Sequence, residues 1–252
     1  NQYFGHYPNY PDSTIKKLKP LVDKARSQAN QIHTSLLKDK FVYVRVPSFN
    51  IYDYSKINVY AQALHDSIAQ YKTHKPKGFI IDLRLNEGGN LYPMIAGLSL
   101  FLGNQIIGYE KDIDNKIART WEIKNGNFVI GNYQATKITI NPELRFKNMP
   151  VVVLLGPVTK SSGSMTAIAF KNRPHTFFIG EPTADGYTTS NGYFSFSSNL
   201  ILNFATNFVA DRKMNVYKTT VNPDYYIYQG DNFENLLEDK KVKYAIKWLK
   251  AK

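Results

Sequence analysis

Short apolar, β-branched runs punctuate the chain, each ended by turn-forming residues. Residues 41–46, 79–83, 151–155 and 176–179 are nearly continuous in apolar side chains, the pattern of strands covered on both faces. Between them lie stretches of helical periodicity: residues 55–71, stopped by Lys75-Pro76-Lys77-Gly78, residues 91–102, and a segment that begins at Ser161-Ser162. A helix is expected at residues 20–37, opened by Pro20, and residues 232–252 read as helical. Residues 105–149 read as strands that turn at Asn125-Gly126 and Gly131-Asn132, and residues 193–196 and 200–208 as late strands. Alternation of buried strands with helices argues an α/β fold. The chain shows neither an internal repeat nor a Pro/Gly/Ser-rich linker. Its 252 residues, 43% apolar, suit one large domain or a core with an insert.

Two of the strand ends carry chemistry. After residues 151–155 the chain breaks at Gly156-Pro157, and a helical pattern starts at Ser161-Ser162-Gly163. A hydroxyl there sits where a helix N-terminus presents free N–H groups and favours negative charge, although serine is also a frequent helix cap. After residues 79–83 comes Arg84-Leu85-Asn86-Glu87-Gly88-Gly89. Paired glycines let a backbone approach a ligand and turn its N–H groups outward. Together the two loops offer a serine and amide donors, the parts that acyl transfer needs.

The run Asp82-Leu83-Arg84-Leu85-Asn86-Glu87-Gly88-Gly89 resembles the Asp-Leu-Arg-x-Asn-x-Gly-Gly signature of the C-terminal-processing (tail-specific) serine peptidases. Thr159-Lys160-Ser161-Ser162-Gly163 is similar to their nucleophile motif, and Gly180-Glu181-Pro182-Thr183 to a segment downstream of it. Val44-Arg45-Val46-Pro47 resembles the family's first core strand, and the stretch from Phe208 through Asp211-Arg212 to Asn215 and Tyr217 a late one. That stretch and the closing Ala245-Ile246-Lys247-Trp248 resemble the nisin-resistance branch of the family. The likeness runs from about residue 38 to the C-terminus. It implies a ββα superhelix of the ClpP/crotonase-like type, with residues 1–37 as an N-terminal helical segment, residues 38–252 as the peptidase core and residues 105–149 as a β-rich cap insertion over the active site.

The resemblance makes Ser161 the nucleophile, with the Ser162 amide and Gly88 or Gly89 forming the oxyanion hole. A one-residue slip would make Ser162 the nucleophile. A serine hydroxyl needs a general base within hydrogen-bond reach. Many members use a lysine after Gly-Glu-x-Thr, and here Tyr187 falls at about that place, which puts the chain with the members that use histidine. Their motif, Gly-(Lys/Asp)-His-Ser, is absent from this sequence. Of the five histidines, His6 in Phe4-Gly5-His6-Tyr7 comes nearest to it, and the alternative is a base upstream of Asn1. His33, placed in the expected helix, and His65, His74 and His175 read as structural or surface residues. Asp185, Glu181 and Asp211 are candidates for a group that orients the base, each also readable as a turn or surface residue. Ser164 stands where the family motif has glutamate, which leaves a catalytically impaired, peptide-binding member as the second reading.

The net charge of +12 rests on lysines in the N-terminal segment, the linker Lys72 to Lys77 and the C-terminal helix, including Lys240, Lys241, Lys243 and Lys247. It reads as a solvated basic surface, or as one drawn to an anionic cell envelope. No aromatic-interleaved pattern points to nucleic acid. Gly156-Pro157-Val158-Thr159-Lys160-Ser161 lacks the second glycine of a phosphate-binding loop. No His/Asp/Glu cluster has metal-ligand spacing, so neither metal nor cofactor is expected. With zero cysteines there are neither disulfides nor thiol catalysis, and no run of about twenty apolar residues suggests a transmembrane helix. The family resemblance implies an extracytoplasmic protein, here without its targeting segment, acting on a peptide or protein substrate. That substrate is an extended peptide cut near its C-terminus, with a lanthipeptide as the narrower expectation.

Overall fold

The computed structural model describes residues 12–51, 53–141, 146–184, 186, 188–197 and 200–252. Helix α1 (Asp12–Ser27) leads to strands β1 (His33–Leu36) and β2 (Phe41–Arg45), helix α2 (Ile57–Ala69) and strand β3 (Gly78–Asp82). Helices α3 (Leu91–Gly97) and α4 (Ser99–Leu102) follow. Strands β4 (Ile106–Lys111), β5 (Ile117–Lys124), β6 (Asn127–Ile130) and β7 (Tyr133–Gln134) come next, then β8 (Val151–Leu155). The rest comprises α5 (Ser162–Phe170), β9 (Thr176–Gly180), β10 (Thr189–Ser197), β11 (Leu200–Asp211), β12 (Val216–Tyr217), β13 (Tyr225–Tyr226) and α6 (Lys240–Lys250).

The four expected buried strands lie side by side. One sheet has the order β1-β2-β3-β8-β9-β13, parallel throughout except for β1. Side chains alternate across it. Val42, Val44, Phe79, Ile81, Val151 and Val153 face a core shared with α2, α3 and α5. Phe41, Tyr43, Ile80, Val152 and Leu154 face the apolar stripe Val242, Ala245 and Leu249 of α6. Both faces are therefore covered, which is why these strands read as unbroken apolar runs rather than as alternating ones.

The N-terminal helix differs from the expectation. It ends at Ser27 with Pro20 inside it, and residues 33–36, expected to be helical, pair with β2 at the sheet edge. Asn30 turns the chain at φ +62, and its amide donates to Ser48 O (2.9 Å), so the following residues reach unpaired backbone groups of β2. Residue 37 thus falls at the end of a strand of the central sheet rather than at the end of a helix. α1 packs Leu18 and Val22, four residues apart on one face, against Val158 and Ala184.

A second, antiparallel sheet has the order β10-β11-β4-β5-β6-β7. The strands read at residues 105–149 supply β4 to β7. The late strand, likened to a core strand, instead pairs with β4 through residues 208–211. The turns at Asn125-Gly126 and Gly131 carry positive φ and join β5 to β6 and β6 to β7, as read from the sequence. The helix read at residues 91–102 divides in two at Leu98, and the C-terminal helix is confined to Lys240–Lys250.

Candidate active site

β3 and β8 are parallel neighbours, so the loops that leave their C-terminal ends lie together. Hydrogen bonds sew the two loops. Thr159 Oγ1 donates to Leu83 O (2.8 Å), Lys160 N to Asn86 O (3.1 Å) and Leu83 N to Leu154 O (3.0 Å). Asn86 organises the turn from inside: its Nδ2 donates to Val46 O (3.2 Å) and Pro47 O (2.9 Å), and its Oδ1 accepts from Gly88 N (2.9 Å). Gly163 lies so close to Asn86 that an added Cβ would fall 2.6 Å from the Asn86 carbonyl oxygen. Close packing at this helix start is what requires glycine there.

Ser161 occupies the residue before α5 with φ +51 and ψ −125, a conformation that costs a non-glycine residue of order 1–3 kcal/mol. Its hydroxyl makes no capping bond to the helix. The capping reading of this serine therefore fails, and Ser161 lines a cleft. Ser162 is different: its Oγ donates to Gly89 O (2.6 Å), which anchors the helix start to the glycine turn. The two glycines also differ. The amide of Gly88 is taken by Asn86, and a Cβ on Gly88 would lie 2.7 Å from Ser161 Cβ. Gly89 (φ +98) is pressed against the Phe49 carbonyl. Among the described residues its own amide donates to no partner, nor does that of Ser162, a first-turn helix amide.

The cleft has a volume of about 370 Å³. Gly89, Asn90, Tyr92, Ser161, Ser162 and Met165 form its core side, and Glu110, Arg119, Trp121 and Ser190 come from the second sheet. Glu110 is buried and held by Trp121 Nε1 (3.0 Å), Arg119 Nε (2.7 Å) and Asn207 Nδ2 (3.3 Å). These donors saturate its carboxylate, whereas the Arg119 side chain is 45% exposed. Glu110, Arg119 and Trp121 lie within residues 105–149, expected from the resemblance as a cap insertion over the active site, but neither these residues nor Ser190 of β10 were singled out, because no local pattern shows which face of a strand turns toward Ser161.

The signature residues Asp82 and Arg84 do not touch the cleft; they support it from below. Asp82 accepts from Tyr43 OH (2.6 Å), from Arg84 N (2.9 Å) and from the Arg84 guanidinium (2.6 Å). Arg84 in turn reaches Asp231 (2.5 Å) and Asp239 (2.7 Å), and Lys241 bridges Asp231 (2.8 Å) and Glu181 (2.9 Å). Burial alone would raise the Asp82 pKa, but the Arg84 guanidinium overrides it and holds the carboxyl below its ordinary range. Lys241, counted with the solvated basic residues, is fully buried in this network. Glu181 belongs to it as well. Asp211 is buried and accepts from Asn172 (2.7 Å), the Lys213 amide (2.8 Å), Asn215 and Tyr217 OH (3.0 Å), so the Asp-Arg-x-x-Asn-x-Tyr stretch is a folded knot.

Four histidines lie in the described residues, and none lines the cleft. His33 sits on β1 with part of its surface exposed, and partial burial of the ring together with the neighbouring Arg45 holds its pKa below the usual value. His65 is buried in α2 with Nδ1 3.0 Å from Asp66, and His74 and His175 are exposed. His6, Asp185 and Tyr187 lie outside the described residues. Ser164 is fully buried, its Oγ 3.4 Å from Thr159 O. No helix among the described residues is long and apolar enough to cross a membrane, and no group of three or more His, Cys, Asp or Glu there could hold a metal ion.

Comparison with known proteins agrees with this architecture. Residues 40–227 match peptidase family S41. The nisin-resistance protein of Lactococcus lactis subsp. lactis is 33% identical over 209 residues, covering 82% of this chain. The chain spans only 59% of that relative's length. Among solved structures, a lipoprotein from Streptococcus agalactiae superposes with a TM-score of 0.69 at 26% identity, covering 91% of this chain and 74% of that one. The photosystem II D1 C-terminal processing protease shares the fold at a TM-score of 0.55 and 18% identity, with 79% of this chain and 46% of that one covered. With its parallel core sheet, its paired strand-end loops and a sequence match over most of its length, the chain belongs to peptidase family S41.

Proposed function

We propose that the chain is a serine endopeptidase of the C-terminal-processing type, with Ser161 as its nucleophile. The observation that carries this reading is the backbone of Ser161: strained, with an uncapped hydroxyl, in a cleft also lined by Gly89 and Ser162, whose amides donate to no partner among the described residues. Strain of this kind persists where the surroundings enforce it and clusters at reactive residues. Ser162 suits the nucleophile's role less well, because its hydroxyl already donates to Gly89 O.

In the proposed reaction Ser161 Oγ attacks the scissile carbonyl carbon and passes its proton to a base, for which His6 is the candidate within this sequence. The carbonyl oxygen becomes an oxyanion and accepts hydrogen bonds from the Gly89 and Ser162 amides. Each such donor is worth about 100- to 1,000-fold in rate. Collapse breaks the C–N bond, and the amine leaves with the proton held by the base. Water then cleaves the acyl ester by the same steps in reverse roles. Gly88 serves as a spacer beside Ser161 rather than as a donor.

The substrate is an extended peptide cut near its C-terminus, and the likeness to a nisin-resistance protein favours a lanthipeptide-like antimicrobial peptide. That relative and a structural neighbour described as a lipoprotein support an extracytoplasmic site of action. A net charge of +12 suits an anionic envelope nearby but gives no steering toward a cationic peptide. Mass spectrometry of peptide digests tests the reading. Wild-type protein is expected to release short C-terminal fragments and Ser161→Ala none. Undiminished release by Ser161→Ala, with loss in Ser162→Ala, overturns the register. Binding without turnover favours the impaired, peptide-binding member.

A further inference from the structure

The hairpin of β10 and β11 reaches beyond the rest of its sheet. β4 pairs with β11 only over residues 208–211, so residues 191–205 form a two-stranded ribbon with no third strand among the described residues. Such a ribbon is marginally stable by itself. One of its faces is apolar. Phe194 is 43% exposed, Phe196 67%, Leu200 52%, Leu202 44% and Phe204 51%. The rings of Phe194 and Phe204 stack at 4.9 Å across the strands.

The pairing register shows where this face leads. Ser190 and Asn207 are cross-strand partners on the cleft side, since Ser190 is buried in the cleft wall and Asn207 donates to Glu110. Side chains alternate along a strand, so counting in twos from Ser190 puts Gly192 and Phe194 on the same face, and Phe196 follows at a bulge between Ser195 and Ser197. Across the ribbon, Phe204 is opposite Gly192 and Leu202 opposite Phe194. The wall that closes over Ser161 therefore continues outward, past Gly192, into a strip that carries Phe194, Leu202 and Phe204.

We infer that this strip docks an apolar segment of the peptide substrate, an inference that rests on Ser161 being the reactive group. Continuity with the cleft selects this occupant: a peptide leaving the cleft in extended form runs along the strip. At about 3.3 Å per residue, the span from Gly192 to Phe196 matches about four substrate residues. Every second one faces the wall. The selected substrate class is a peptide with large apolar side chains at alternate positions away from the scissile bond.

The test uses two fluorescein-labelled peptides of equal length that share the cleaved sequence and differ at the distal alternate positions, Leu and Phe in one, Ser in the other. Binding is measured by anisotropy to Ser161→Ala protein, which separates docking from turnover. The apolar peptide is expected to bind at least about tenfold tighter. Adding Phe194→Ser and Phe204→Ser should bring that ratio to near one, and Leu202→Ser alone should lower it partway. In the Ser161 protein the same preference should appear in KM. Circular dichroism and melting establish that the variants fold, and Leu202→Ser carries the test if the double variant does not. A preference that survives the substitutions, or an equal loss for both peptides, overturns the inference. So does loss of binding to phosphatidylglycerol vesicles, or of a dimer in sedimentation, with the peptide preference intact. Hairpin-dependent binding in a protein whose Ser161→Ala form still cleaves would sink the nucleophile assignment and leave the docking result standing.

Discussion

Gly88→Ala asks whether the glycine turn sets the position of Ser161. Gly88 has φ +108, a region where a Cβ costs roughly 1–3 kcal/mol. The added methyl would lie 2.7 Å from Ser161 Cβ and 3.2 Å from its Oγ. Carbon atoms in contact settle at about 3.5–4.0 Å, so Ser161 or the turn must give way by about 1 Å. Overpacking of this kind adds about 1–3 kcal/mol. At about 2–4 °C per kcal/mol, the combined effect is a fall in Tm of roughly 4–24 °C. A displacement of about 1 Å at a reacting atom costs on the order of 100-fold in rate. Gly131→Ala is the matched comparison: φ is +56 and the nearest atom to a new Cβ is Arg119 Cγ at 3.8 Å, so backbone strain of about 1–2 kcal/mol enters without contact to Ser161. Calorimetry and steady-state peptide cleavage on both variants separate the two effects. Gly88→Ala should lose turnover and Gly131→Ala should keep it. If Gly88→Ala cleaves at the wild-type rate with a Tm loss no larger than that of Gly131→Ala, then Ser161 is not held where the reaction occurs.

If His6 is the base, kcat/KM should rise with pH through an apparent pKa of about 6–7 and fall by about 100- to 10,000-fold in His6→Ala; vigorous turnover by that variant contradicts the assignment. Lys241→Met leaves Glu181 without its buried cation and Asp231 with Arg84 alone, and denaturant titration should show a loss of about 3–5 kcal/mol. A loss below about 1 kcal/mol would show that the network does not hold α6 to the sheet. Because the folded protein holds the Asp82 carboxyl below its ordinary range, the stability it contributes is present above about pH 4 and lost as pH falls through the folded value. The Tm should therefore drop on acidification below about pH 4, and a flat profile down to about pH 2 contradicts this.

How much of this was legible depended on whether a residue's partner lay close in sequence. The parallel strands were readable because Val42, Ile80 and Val152 are covered on both faces and leave no polar alternation. Gly88, Gly89 and Ser161 stood out because loop chemistry is local, and the turn at Asn125-Gly126 for the same reason. His33 was misread into a helix: the hydrogen bonds that make β1 a strand come from Val44 and its neighbours, which no local pattern reveals. Lys241 looked like one more solvated lysine, since Asp231 and Glu181 that bury it come from other segments. The pairing of Phe208 with Lys111 joins residues about a hundred positions apart, so the attachment of the β10-β11 hairpin to the strands of residues 105–149, and the hairpin's apolar face, became visible only in three dimensions.

Covalent labelling tests the central claim most directly. A fluorophosphonate reacts with a serine only where the hydroxyl is activated and an oxyanion hole receives the phosphoryl oxygen. Tandem mass spectrometry of the labelled protein should place a single adduct on Ser161, suppressed by excess extended peptide and absent from Ser161→Ala. An adduct on Ser162, or no adduct in protein that binds the peptide, contradicts Ser161 as the nucleophile.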